Sequence, residues 1–179
     1  MKTIKIVCAG FGGQGIMTFG KILAAAGMHD NKKVSMMPSY GAEVRGGTAH
    51  SMVIISDEEI PSPIVGEADI CVIMNKPSFD KFEARVKKGG TIILNSSLIE
   101  TPAKRKDIMV VKIKATEIAS DIGNIKAANI VALGALVSTT KVVSKTKTIS
   151  ILNEMFKNNK QLLDLNLDAF EKGIKEAKQ

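Results

Sequence analysis

The chain has 179 residues, of which 45% are hydrophobic and 24% charged, a balance typical of one globular domain with a sizeable core. No apolar run approaches the roughly 20 residues that a membrane-spanning helix requires. Glycines interrupt the apolar N-terminal region, which therefore lacks a signal-peptide layout. We expect a cytoplasmic protein without a membrane segment.

The net charge is +7, which raises the possibility of a nucleic-acid partner. However, the lysines are scattered, and one tyrosine with no tryptophan offers little for base stacking. A solvated lysine-rich surface is favoured, and we expect no nucleic-acid partner.

The two cysteines and two histidines do not form a metal-binding pattern. Cys8 and Cys71 each lie inside an apolar strand-like run, and their separation fits no C-x-x-C spacing. His29 and His50 have no Cys, Asp or Glu at metal-ligand spacing. No G-x-S-x-G turn supports a Ser-His-Asp site. The sequence thus predicts buried thiols, no metal site and no catalytic residue on this chain.

Strand-like and helical segments follow one another along the chain. The apolar and β-branched runs predict strands over 4–9, 33–37, 49–56, 69–74, 91–95 and 109–113, with the second strand stopped by Pro38. Apolar residues at helical spacing predict helices over 14–29, 78–87, 127–139, 148–156 and 165–178.

This alternation predicts an α/β fold with three α/β/α layers. The strands on either side of residues 39–48 are too close for a helical crossover, so the sheet should be mixed although mostly parallel. We expect one domain over residues 1–179, with its C-terminal helices from about residue 144.

A glycine-rich turn follows the first strand. Gly10, Gly12 and Gly15 occupy the three positions of a G-x-G-x-x-G pattern, with Gly13 and Gln14 between them. Such a turn lets the backbone of a helix N-terminus approach an anionic ligand. The dinucleotide version also requires an acidic residue at the end of the second strand, which this chain lacks. An anion site and a tight turn without a ligand both remain open.

Residues 39–48 form a second glycine-framed loop, hereafter the second loop. Gly46 and Gly47 permit backbone conformations closed to other residues, and Tyr40 can stack or donate a hydrogen bond. Arg45 can form a fork with a carboxylate or phosphate, or it can pair with Glu43 to support the loop. Long ordered loops are more often functional than not.

These two segments resemble the gamma subunit of 2-oxoacid:ferredoxin oxidoreductases. The resemblance rests on GFGGQG at 10–15, PSYGAEVRGGT at 38–48, IPSP at 60–63, AD at 68–69 and NIVALGAL at 129–136. It covers about residues 4–137, and the second loop is its most specific part. It implies a fold like that of the gamma domain of pyruvate:ferredoxin oxidoreductase.

The resemblance also implies a function. Such enzymes oxidatively decarboxylate a 2-oxoacid with coenzyme A, giving an acyl-CoA, carbon dioxide and reduced ferredoxin. Thiamine diphosphate, Mg²⁺ and iron–sulfur clusters are carried by partner alpha, beta and delta subunits, so none is expected on this chain alone. The gamma unit is implicated in the coenzyme A side of the site. The implied candidates for coenzyme A or subunit contact are Gly10, Gly12, Gly13, Gln14, Gly15, Tyr40, Glu43, Arg45, Gly46 and Gly47.

The form of the first turn and the chain length are most similar to the 2-oxoglutarate branch of this family. Versions for 2-ketoisovalerate or pyruvate are rivals, because the substrate is selected largely by other chains. A stand-alone nucleotide-binding α/β protein is the alternative from a different class. The isolated chain should be inactive, and a homodimer of it stays open.

Overall fold

The structure is a computed structural model that describes residues 3–41 and 47–178. The strands are β1 (Ile4–Phe11), β2 (Lys33–Tyr40), β3 (Thr48–Ser56), β4 (Ala68–Ile73), β5 (Val86–Asn95) and β6 (Met109–Ile113). The helices are α1 (Ile16–His29), α2 (Lys76–Phe82), α3 (Ala115–Asp121), α4 (Ala128–Thr140), α5 (Lys145–Phe156) and α6 (Lys160–Glu176). Two 3₁₀ turns cover Glu83–Arg85 and Ile125–Ala127. None of the helices in these ranges is long and apolar enough to cross a membrane.

The strands form one sheet in the order β2-β3-β1-β4-β5-β6. β3 runs antiparallel to both of its neighbours, β1 and β2, whereas the β1–β4, β4–β5 and β5–β6 pairs are parallel. β2 and β3 are therefore a hairpin whose connection is the second loop. This topology confirms the predicted mixed, mostly parallel sheet.

Two boundaries predicted from the sequence were wrong. β2 continues through Pro38 to Tyr40, because it is an edge strand, where a residue without an N–H is tolerated. The helix predicted over 78–87 ends at Phe82, and β5 already begins at Val86. Gly89, with φ +75°, lies where the β4–β5 register shifts. Gly89 and Gly90, which were predicted to form a turn before the strand, therefore form a bulge inside β5.

The C-terminal half also differs in detail. α3 was not predicted, because seven residues span too few turns for a clear apolar period. α5 and α6 start earlier than predicted, at side-chain caps: Ser144 accepts from the Lys147 N–H at 3.4 Å, and Asn159 accepts from the Leu162 N–H at 3.0 Å.

Helices cover the two faces of the sheet unequally. α1, α3, α4, α5 and α6 contribute to the core on one face, whereas α2 and the connections around it cover the other. Every residue of α4 from Ala128 to Val137 is buried. Two glycines allow α6 to cross it closely: a Cβ on Gly134 would overlap the Phe170 carbonyl oxygen, and one on Gly173 would overlap that of Val131.

The topology determines where a ligand would bind. β1 and β4 are adjacent and parallel, but the helices that follow them, α1 and α2, lie on opposite faces of the sheet. The position between these two strands is therefore a topological switch point. In open α/β sheets the crevice at the carboxyl ends of such strands is the usual binding place. We call this end of the sheet, with the start of β3, the carboxyl edge.

Candidate functional site

The glycine turn lies at the carboxyl edge, between β1 and α1. Gly13 and Gly15 have φ values of +99° and +72°, which side chains rarely adopt. Gly15 is the N-cap of α1. A Cβ on Gly10 would lie 2.6 Å from the Gln14 Oε1 atom and 3.0 Å from the Met74 Cβ. The glycines are therefore required by the turn itself, whether or not it binds a ligand.

Gln14 bridges the two strands at the switch point. Its Oε1 accepts from the Phe11 N–H at 2.7 Å, and its Nε2 donates to the Met74 carbonyl oxygen at 3.3 Å. The buried Asn95 of β5 donates to the same oxygen at 3.4 Å. A side chain thus spans the gap between β1 and β4, where a dinucleotide fold keeps an open crevice for the diphosphate.

Both ends of the second loop contact the turn or each other. The Gly12 N–H donates to the Gly47 carbonyl oxygen at 2.9 Å, and the Gly41 N–H donates to that of Thr48 at 2.8 Å. Tyr40 ends β2 with 58% of its surface exposed. The structure thus brings Gly12, Gly47 and Tyr40 to one edge. Glu43, Arg45 and Gly46 lie outside the described residues.

A cavity of about 280 Å³ opens beside the turn, on the α1 face. Gly13, Gly15 and Thr18 line one side, and Lys126 and Asn129 line another. We call it the asparagine cavity, since the remaining lining residues include Asn124 and Asn166, along with Ala127, Ile130, Phe156 and Leu162.

Two buried carboxamides line this cavity with unused acceptors. Asn129 and Asn166 are each only 4% exposed. Asn129 donates to the Gly15 carbonyl oxygen at 3.1 Å, and Asn166 donates to that of Leu162 at 2.8 Å. Neither carboxamide oxygen accepts a hydrogen bond from the described residues. These two oxygens can accept hydrogen bonds from a ligand that brings hydroxyl or amide donors.

The electrostatics at the same cavity favour an anion. The first turn of α1 carries no acidic residue, and the N–H groups of Gly15 to Thr18 have no acceptor among the described residues. Lys126 forms no ion pair within the described part of the chain. Its backbone N–H donates to the Asn124 Oδ1 at 3.1 Å, which fixes the 3₁₀ turn before α4. A helix N-terminus with a nearby ammonium group is a suitable phosphate or carboxylate site.

Sequence reasoning did not assign a role to Lys126, Asn129 or Asn166. Asn129 begins one of the segments that carry the family resemblance, and this was the available signal. Only the fold shows that it reaches Gly15, a residue 114 positions earlier.

The described residues contain no group of three or more potential metal ligands. Cys8 and Cys71 are both fully buried, as predicted, and belong to the cores on opposite faces of the sheet. Burial raises the pKa of the Cys71 thiol to about 12, and burial together with the nearby Cys71 raises the pKa of Cys8 well above its usual value. Both thiols are therefore protonated at neutral pH.

The fold is thus an α/β unit with a glycine turn at the switch point of its sheet. Residues 5–176 match the model of the pyruvate ferredoxin/flavodoxin oxidoreductase family, and the chain belongs to that family. Within it, the chain is the gamma subunit of a 2-oxoacid:ferredoxin oxidoreductase, as the resemblance implied, and hence part of a multi-subunit enzyme.

Three relatives illustrate this. The chain is 40% identical to the 2-oxoglutarate synthase subunit KorC of Methanocaldococcus jannaschii, over 98% of this chain and 94% of that protein. The gamma subunit of a keto/oxoacid ferredoxin oxidoreductase from Geobacter sulfurreducens has a TM-score of 0.84 at 32% identity, with 97% and 98% coverage. A 2-oxoglutarate:ferredoxin oxidoreductase from Magnetococcus marinus, with 2-oxoglutarate, coenzyme A and succinyl-CoA bound, has a TM-score of 0.92 at 26% identity. The similarity covers 99% of this chain and 31% of that one.

Proposed function

We propose that this chain is a single gamma-type domain of a cytoplasmic 2-oxoglutarate:ferredoxin oxidoreductase. The enzyme would convert 2-oxoglutarate and coenzyme A into succinyl-CoA and carbon dioxide, with the electrons passing to ferredoxin. The substrate assignment is supported by the similarity to KorC over nearly the whole chain and by the Magnetococcus enzyme. Versions for 2-ketoisovalerate and pyruvate are the alternatives.

The redox cofactors belong to partner chains in this proposal. An iron–sulfur cluster requires several cysteine thiolates at one place, whereas Cys8 and Cys71 are protonated and lie on opposite faces of the sheet. The described residues therefore do not fit a cluster. Alpha, beta and delta subunits would hold thiamine diphosphate, Mg²⁺ and the clusters, so the isolated chain should give no turnover with 2-oxoglutarate, coenzyme A and a viologen dye.

The contribution of this chain is to hold coenzyme A at the carboxyl edge. The observation that carries this assignment is the asparagine cavity. The N–H groups at the start of α1 and the ammonium group of Lys126, which have no partner among the described residues, would bind the diphosphate. The carboxamide oxygens of Asn129 and Asn166 would accept from its hydroxyl or amide groups. Gln14, which closes the dinucleotide crevice, argues against the stand-alone nucleotide-binding alternative.

The second loop would face the partner subunits or the entrance for coenzyme A. Tyr40, Gly46 and Gly47 frame it, and Arg45 is its strongest anion ligand because its planar fork fits a phosphate or carboxylate. If Arg45 binds a coenzyme A phosphate, Arg45→Lys should raise the KM for coenzyme A and leave that for the 2-oxoacid unchanged. If Arg45 instead pairs with Glu43, the same change should weaken subunit assembly, and Glu43→Gln should have the same effect.

The test of the coenzyme A site is Lys126→Gln in the assembled complex. Loss of a charged contact worth about 1.4 kcal/mol should raise the KM for coenzyme A roughly tenfold while the KM for 2-oxoglutarate stays constant. Lys21→Gln is the matched control, because Lys21 is an exposed lysine of α1 without an ion pair among the described residues. Equal KM values for coenzyme A in the wild type and Lys126→Gln would contradict the proposed site.

Substrate choice is tested on the same complex. Turnover with 2-oxoglutarate should exceed that with pyruvate or 2-ketoisovalerate. A preference for either of the latter two acids would replace the assigned substrate without affecting the coenzyme A site.

A further inference from the structure

A group of basic side chains surrounds one buried ring on the face of the sheet opposite the asparagine cavity. The ring is that of Phe82, the last residue of α2, which is only 2% exposed. The Lys81 Nζ lies 5.2 Å from the ring centroid, and the Arg85 Cζ lies 5.7 Å from it. The imidazole of His50, in β3, is centred 5.2 Å from the same point. We call Lys81, Arg85 and His50 the basic cluster.

The fold leaves the sheet beside this cluster without a helix. α1 packs against β2 and β3 on one face, whereas α2 on the other face packs against β1 and β4. On that second face the connection after β3 covers Met52, whose sulfur accepts from the Val65 N–H at 3.3 Å. His50 and its neighbour in β2, Ser39, lie closer to the carboxyl edge and stay partly exposed. The α2 face of the β2–β3 hairpin is therefore open next to the cluster.

No carboxylate within the described ranges neutralises the cluster. Lys81 and Arg85 are both exposed, and neither forms an ion pair there. The neighbouring acids are already engaged: Asp80 forms an ion pair within α2, and the buried carboxylate of Glu83 accepts from backbone N–H groups. Because like charges repel each other, this surface is suited to an acidic group from outside the chain.

His50 adds a neutral hydrogen-bond donor to the two cations. Burial, together with the charges of Lys81 and Arg85, holds the pKa of His50 below its usual value, so the ring is uncharged at pH 7. Its nitrogens have no hydrogen-bond partner in the described part of the chain. A neutral imidazole donates one N–H and adds no further charge to be desolvated.

The shape of the surface distinguishes between kinds of anion. The basic cluster lines none of the cavities beside the glycine turn, and a small ligand is normally held in a concave site. A protein partner needs no such enclosure, and its interface is typically enriched in arginine and aromatic side chains. Phe11, 36% exposed, continues the same face, since it lies two residues beyond Ala9, which pairs with His50. The chain is part of a multi-subunit enzyme, which supplies such partners.

We propose that the basic cluster is the docking site for an acidic segment of another subunit of the oxidoreductase. An Asp or Glu of that segment pairs with Lys81 and Arg85 and accepts a hydrogen bond from His50. This inference is independent of the coenzyme A site, because the asparagine cavity lies on the other face of the sheet.

The first experiment is carbodiimide cross-linking of the assembled complex, which forms an amide bond between an ammonium group and a carboxylate in contact with it. Mass spectrometry of the peptides should find Lys81 joined to an Asp or Glu of another subunit. A product that joins Lys81 to a second gamma chain would make the occupant another copy and overturn the proposal. The absence of any product at Lys81 would overturn it as well.

The second experiment measures the dissociation constant of this subunit from the rest of the complex, by dilution in about 0.1 M salt. Lys81→Glu should raise the constant about a hundredfold, because it replaces an attraction by a repulsion. Lys21→Glu is the matched control: Lys21 is an exposed lysine of α1, on the other face, and the change in net charge is the same. It should change the constant less than about twofold.

The comparison of these two variants decides the outcome. Both residues are exposed, so neither change disturbs the core. Equal effects would show that net charge rather than the basic cluster governs assembly, and the proposal would be wrong. If Lys81→Glu leaves assembly intact but abolishes binding of a short DNA duplex to the complex, the partner is a nucleic acid and the proposal is also overturned.

Discussion

Replacing Gly15 by alanine should destabilise the fold by about 2–4 kcal/mol. The left-handed conformation, with φ +72°, costs about 1–2 kcal/mol for a residue with a Cβ. The new Cβ would also lie 2.8 Å from the Cγ of Asn129 and overlap its nitrogen. Asn129 must then move and lose its hydrogen bond to the Gly15 carbonyl oxygen, which adds about 0.5–1.5 kcal/mol and some further strain.

The chain offers a matched control. Gly89 has nearly the same conformation, with φ +75°, but a Cβ there would meet nothing within 4 Å. Gly89→Ala should therefore cost only the backbone part, about 1–2 kcal/mol. Urea unfolding gives both free energies. If the two variants lose the same free energy within about 0.5 kcal/mol, the contact with Asn129 contributes nothing and the reasoning is refuted.

A double-mutant cycle isolates that contact. In an Asn129→Ala background, the carboxamide that obstructs the new methyl group is gone. Gly15→Ala should then cost less than it does in the wild type, by about 1 kcal/mol, and an unchanged cost would show that the two residues are not coupled.

The other predictions concern the core and the turn. Gly134→Ala should lower the free energy of unfolding by about 3 kcal/mol or more, since the new methyl group pushes the backbone of α6 away from α4. Gly66→Ala, whose new Cβ would meet no atom within 4 Å, should be nearly neutral in thermal unfolding. Because burial raises the pKa of Cys8 and Cys71, neither should react with a thiol reagent at pH 8 until urea unfolds the chain; rapid labelling of the native protein would contradict this. Gln14→Leu should cost about 1–3 kcal/mol in urea unfolding by removing both hydrogen bonds of the side chain, and a stability equal to that of the wild type would exclude a bridging role.

Local patterns in the sequence identified most elements of the sheet. The β-branched runs correspond to buried strands, and the short connection between β2 and β3 correctly required an antiparallel pair. Pro38 was misleading because its effect depends on whether the strand has one neighbour or two, which is a property of the assembled sheet. Gly89 was misleading for a similar reason, since a turn and a bulge use the same conformation.

The candidate site was only partly accessible to the same reasoning. The glycine turn is contiguous in sequence and was recognised from its spacing. Lys126, Asn129 and Asn166 come from segments that only packing brings to the turn, and no spacing pattern in the sequence links them to the glycines. Gln14 was recognised as part of the turn, but its bridge to Met74 depends on the adjacency of β1 and β4.

The close crossing of α4 and α6 has a consequence for synthesis. Contacts between residues far apart in sequence form late, because a long loop must close first. Asn129, which lines the cavity beside Gly15, belongs to α4, and α4 is covered only when α6 is in place. The ribosome must therefore synthesise the chain through α6 before the cavity beside Gly15 is enclosed. The cavity beside the glycine turn would therefore stay incomplete in the nascent chain until α6 has docked.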